Sequence, residues 1–211
     1  RLVGSEMCIR DRAGNGNYKT QNSIINITDG ELISTADYAV YLPQSGTTTI
    51  SGGKVYGAAG GVCIQRGTLN VEGTALITSK GTGSTGNWGD GTGGLDCAAI
   101  NVSGAYGIAT VNIKGGTLIA EAKSLITEGT TYTPVINVTG GTFSDPSVLK
   151  YMATNATVDI KLLSNINIAK TELATGYILN AANATANLNL NGHDIINSSE
   201  TADATPFTQI F

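Results

Sequence analysis

The chain has 211 residues, 12 basic against 16 acidic side chains, a formal net charge of −4 and only 6% aromatic residues. Nucleic-acid binding rests on Lys and Arg neutralising phosphates, so this balance argues against that partner, and no apolar run reaches the ~18 residues of a membrane-spanning helix. Three cysteines with no CxxC or Cys/His spacing argue against a disulfide scaffold or zinc site, while abundant Gly, Thr, Asn, Ile and Val predict an all-β chain.

In chain order, residues 1–12 (RLVGSEMCIRDR) resemble the translated read-through of a transposon-type sequencing adapter. The codons CTC GTG GGC TCG GAG ATG TGT ATA AGA GAC spell Leu2 to Asp11. They are treated as an unstructured artefact, as a tag would be. Setting them aside makes the chain one unit more acidic and leaves Arg66 as its single arginine, with Cys63 and Cys97 as its cysteines.

From there a repeat of about 22 residues organises the sequence: "IINITDGELIS", "TTISGGKVYG", "LNVEGTALIT", "VNIKGGTLIA", "INVTGGTFS", "INIAKTELA" and "LNLNGHDII". Their anchors are Ile27, Ile50, Val71, Ile113, Val138, Ile168 and Leu190. Spacings are close to one rung except the 42 residues from Val71 to Ile113, read as nearly two rungs with a Gly-rich insertion at 80–96. Each copy reads as a short strand, a bend that carries glycine in most copies, and a second short strand whose first large apolar residue points inward. Such units cannot bury an apolar face alone, so they stack. The expected fold is a single-stranded, right-handed parallel β-helix over residues 13–150, continuing as further rungs or a second block over 151–211.

Before most anchors sits an asparagine: Asn26, Asn70, Asn112, Asn137, Asn167 and Asn189. Strand alternation turns these outward, where stacked amides would form a ladder. Alternation likewise predicts an outer stripe of Ile33, Tyr56, Ile77, Ile119 and Ile196. The N-x-S/T strings at Asn26, Asn101 and Asn137 follow from the rung motif, and "LPQSG" reads as a turn because another rung follows it.

"INVTGGTFSDPS", "VNIKGGTLIA" and "LNLNGHDII" resemble GGT-type rungs of large pectate-lyase-like β-helix surface proteins of gut bacteria, over roughly residues 20–200. The resemblance implies architecture and an extracellular, cell-surface location, but the fold hosts lyases, hydrolases, adhesins and plain stalks. Lyases of this type need carboxylates that hold calcium beside a basic residue, and hydrolases need paired carboxylates. Here Arg66 has no acidic cluster near it in sequence, the acidic residues are scattered singly, and His193 sits in the bend "NGHD". No catalytic set and no metal site is expected.

The insertion holds the only tryptophan, Trp88, together with Asp90 and Asp96. Loops of this length are commonly functional, and an exposed indole offers a face to a sugar ring. Asp90 and Asp96 carry calcium-ligand chemistry, but their spacing matches no calcium loop, so no cofactor is expected. Trp88, Asp90, Tyr56, Ile33, Ile77 and Ile119 are therefore the candidate contacts. A regular ice- or crystal-binding array is disfavoured by Glu72 and Lys114 on the outward strand face. The expected function is non-catalytic structural presentation or adhesion, with a polysaccharide or surface glycan as partner. The alternative is a scaffold whose lyase or hydrolase residues lie outside the chain.

Overall fold

The structure is a computed structural model that describes residues 22–83, 96–128, 131–168 and 181–197. It is a parallel β-solenoid of about six turns spaced about 25 residues apart. The first four turns each hold three strands: β1 (Ser23–Ile27), β2 (Glu31–Ser34) and β3 (Tyr38–Leu42); β4 (Gly46–Ile50), β5 (Lys54–Gly57) and β6 (Gly60–Ile64); β7 (Gly67–Val71), β8 (Leu76–Ser79) and β9 (Ala98–Val102); β10 (Ala109–Ile113), β11 (Thr117–Ala120) and β12 (Lys123–Thr127). Like strands stack into three faces. The first is β1-β4-β7-β10 continued by β13 (Val135–Val138), and the third is β3-β6-β9-β12. The second is β2-β5-β8-β11 continued by β14 (Thr142–Phe143), β15 (Thr157–Lys161) and β17 (Thr185–Asn189). A further pair, β16 (Ile166–Ile168) and β18 (Ile195–Asn197), flanks the last turns.

Each face sends aliphatic side chains into one column: Ile50, Val71, Ile113 and Val138 from the first, Val55, Leu118, Phe143 and Ile160 from the second, Val62, Ile100 and Leu125 from the third. All are at most 1% exposed, and burying each contributes roughly 1.5–3 kcal/mol. No turn could bury this face alone, which is why the repeat is the unit of stability.

Each early turn contains a third strand and still takes only 23 residues from Ile27 to Ile50 and 21 from Ile50 to Val71; the insertion at 80–96 lengthens the turn that follows. The interval from Val71 to Ile113 is one turn, not two: β7 pairs directly with β10, with Asn70 opposite Asn112. Third-face strands escape a period-two reading because they are buried on both sides. β6 (GGVCI) and β9 (AAINV) are buried at every position, whereas β7 on the first face alternates over its last three residues. Outside the main column, Tyr38, Tyr41, Ala59, Cys63 and Cys97 form a second buried cluster. Gly60 makes room for it, since a Cβ there would stand 2.0 Å from the Tyr38 ring.

Beyond β14 the pattern changes. A 3₁₀ helix, Pro146–Tyr151, takes the place of a third-face strand. The buried Asp145 carboxylate caps it, accepting from the Ser147 N–H at 2.8 Å and from the Ser124 N–H. The chain then forms a single bridge to the first face, Val138–Met152, before entering β15.

Candidate functional site

The asparagine ladder exists on the first face over fewer rungs than the repeat suggests. Register sets Asn26, Thr49, Asn70, Asn112 and Asn137 in one column. The Asn112 amide donates to Asn70 Oδ1 at 2.9 Å, Asn137 donates to Asn112 Oδ1 at 3.0 Å, and Asn70 reaches Thr49 Oγ1 at 3.4 Å. All three bonds point down the same axis. Asn167 and Asn189 do not belong to it: Asn167 lies beside Ile196 in the β16–β18 pair, and Asn189 beside Lys161 on the second face. The cause is the shrinking of the first face to one bridge, which carries the later "INI" and "LNL" motifs onto other faces.

The predicted outer stripe also needs correction. Ile33 is 55% exposed, and Tyr56 and Ile119 are half-buried on the same outward column, but Ile77 is fully buried. The bend between β7 and β8 has four residues, Glu72 to Ala75, where the bend between β4 and β5 has three. One extra residue reverses the alternation, so Ile77 aligns with the inward Val55 and Thr78 takes the outward place beside Tyr56. Lys54 lies over the Tyr56 ring, 6.0 Å from its centre. Trp88 and Asp90 fall outside the described residues. Glu72 and Lys114 sit just past their strands and pair with each other at 3.9 Å on the surface.

Two open grooves border the third face. The first, about 400 Å³, is built where third-face strands turn into first-face strands. Four successive corners contribute: Ser45, then Arg66, then Tyr106 and Ile108, then Tyr132. Backbone bonds lock each corner to its neighbour, with the Arg66 N–H donating to the Leu42 carbonyl, Tyr106 to Gln65, and Tyr132 to Gly104, at 3.2–3.3 Å. The Arg66 stem lies across Gly107, where a Cβ would approach its Cδ to 2.8 Å. Its guanidinium donates to the Tyr106 carbonyl at 3.5 Å, and among the described residues no carboxylate pairs with it. Tyr132 is 47% exposed and Ile108 59%. This groove therefore offers a guanidinium on one corner, with two aromatic residues on the corners that follow it.

The second groove, about 360 Å³, opens where the insertion rejoins the fold, lined by Thr82, Asp96, Cys97, Lys123 and Ile126 among others. Glu128 gathers its wall: Oε1 accepts from the Asp96 N–H at 2.7 Å and from the Asn101 amide. Asn101 also donates to the Asp96 carbonyl at 3.1 Å, which accepts the Tyr38 hydroxyl at 2.6 Å as well. Burial pushes the Glu128 carboxyl above its ordinary value, against the lowering effect of those two donors. Burial likewise holds the Tyr38 hydroxyl protonated, as donation to a carbonyl requires, and raises the Cys97 thiol. The network reads as a clasp that fastens the end of the insertion to the third face. Cys63 and Cys97 are not joined in a disulfide, and both lie in the second cluster. Register places Cys97 next to Ala98 and therefore four residues along from the partner of Cys63. At ~3.3 Å per residue that is far beyond the ~7 Å limit for a disulfide.

Sequence reasoning missed Arg66, Tyr106 and Tyr132 as a group because long stretches of chain separate them. The available signal was positional: "QRG", "SGAYGI" and "TYTP" each follow a third-face strand, and aligning those strands aligns the corners. No family model matches the chain, and no curated protein or solved structure is significantly similar to it.

Proposed function

We propose that this chain is a non-catalytic, extracellular solenoid segment, a stiff rod that presents corner side chains to a polysaccharide or surface glycan. The observation that carries this reading is the stacking of four corner loops, each bonded to the next, which holds Arg66, Tyr106 and Tyr132 at fixed positions along the rod. A saccharide has apolar ring faces edged by hydroxyls, and it is matched by aromatic surface with a few placed polar groups on a rigid support. Parallel ladders on all three faces supply the support. The test is retention of the full chain on a panel of immobilised neutral and acidic polysaccharides, with the supernatant assayed for new reducing ends and unsaturated sugars. Retention without products supports the reading. Products, or retention on no polymer, would contradict it.

A further inference from the structure

We infer that the corner groove around Arg66 is a binding site for a glycan that carries one acidic sugar among neutral ones. This rests on the saccharide-binding reading above and names its site and ligand class. Arg66 is half-buried, its stem is packed against Gly107, and its acceptor among the described residues is the Tyr106 carbonyl, at the long distance of 3.5 Å. An arginine so placed has most of its donors turned to solvent or ligand, in the planar fork that matches a carboxylate. A charge-assisted pair of this kind is stronger than a hydrogen bond between neutral groups.

Charge then decides between kinds of acidic saccharide. A polyuronate carries a carboxylate on every ring and needs a row of cations. Among the described residues the groove has one cation and no acidic lining residue, in a chain of net charge −4. One carboxylate is matched and further ones meet no counter-charge among the described lining residues. Geometry fixes the remainder of the ligand. Three steps of ~4.8 Å between neighbouring strands separate the first corner from the fourth, so the groove runs ~14 Å along the rod. Tyr132 lies at one end and Ser45 at the other, with Arg66 and Tyr106 between. A short oligosaccharide laid along this line would set its acidic sugar on Arg66, a neutral ring against Tyr132, and hydroxyls toward Ser45.

The test compares sialyllactose with lactose by titration calorimetry on the full chain, then repeats it with Arg66→Gln, Tyr132→Ala and a short galacturonate oligomer. Circular dichroism and thermal midpoints check that both variants keep the fold. The expected result is binding of sialyllactose, a loss of at least about tenfold with Arg66→Gln from the missing charge-assisted bonds, and weakened binding of both sugars with Tyr132→Ala. Lactose binding as tightly as sialyllactose would overturn the assignment, as would a galacturonate oligomer binding more tightly than either. Retention on polysaccharides that Arg66→Gln leaves unchanged would overturn this site while the rod-and-adhesion reading stands. Retention on no saccharide at all would remove both.

Discussion

The first and third faces of the solenoid are built from strands of the same length that pair in the same parallel manner, yet they spend their outward side chains differently. On the first face the outside is wet: Thr68, Thr110, Asn70 and Asn112 stand partly exposed and the amides bond rung to rung. On the third face the outside is a second apolar cluster, sealed by the Tyr38–Asp96–Asn101–Glu128 clasp and bordered by both grooves. One face repeats and carries no local specialisation. The other breaks the repeat at its corners, and the two grooves lie at its edges. In a repeat protein, function gathers where the repeat is interrupted, because a regular face offers the same chemistry at every rung.

The sharpest way to break this comparison is to place the same charge outside each face. Cys63→Asp puts a carboxylate into the fully buried outer cluster of the third face and should cost on the order of 3–5 kcal/mol. Thr68→Asp on the half-exposed first face should cost at most about 1 kcal/mol. Urea midpoints of the two variants measure the gap, and equal losses would erase the distinction between the faces. Next in size is the ladder. Asn112→Ala removes a donor to Asn70 and an acceptor for Asn137, so two modest bonds should sum to about 1–2 kcal/mol. Tyr38→Phe leaves the ring in its cluster and removes the hydroxyl that donates to the Asp96 carbonyl. It should lower stability by about 1 kcal/mol, and hydrogen exchange near Asp96 should accelerate more than exchange in β7.

The smallest effect is a pH dependence. Glu128 has a folded value raised above its ordinary 4.5, chiefly by burial. Between the unfolded and folded values the folded state holds the proton and the unfolded state has lost it, so stability falls as pH rises through that window. Glu128→Gln keeps an acceptor oxygen and removes the titration. Its thermal midpoint should therefore change less with pH from about 4.5 upward than that of the parent chain. A parent whose stability rises over the same range would reverse the sign.

The unequal legibility of the faces in the sequence has the same physical origin. Outward Asn and inward Val or Ile alternate on the first face, so Asn70, Asn112 and Asn137 were readable as a ladder from spacing alone. Alternation vanishes where both sides are buried, so "GGVCI" and "AAINV" carried no period and the third strand of each turn went unread. The insertion at 80–96 adds nearly a turn's length, so the interval from Val71 to Ile113 looked like two turns and the stacking of Arg66 under Tyr106 was concealed. Ile77 shows a second limit. A single added residue in a bend leaves composition untouched and turns every following side chain over. For Asn167 and Asn189 the motif persisted while the face beneath it changed, and only the Val138–Met152 bridge reveals that the first face had narrowed.

The central claim is that each early turn has a third strand, buried on both sides, whose corners carry the candidate site. Amide hydrogen exchange followed by mass spectrometry tests it most directly. Peptides covering β6 and β9 should exchange as slowly as those covering β4 and β7, because all four are paired on both edges within their sheets. Exchange of β6 and β9 at the rate of surface loops would contradict the three-faced turn, and the corner groove with it.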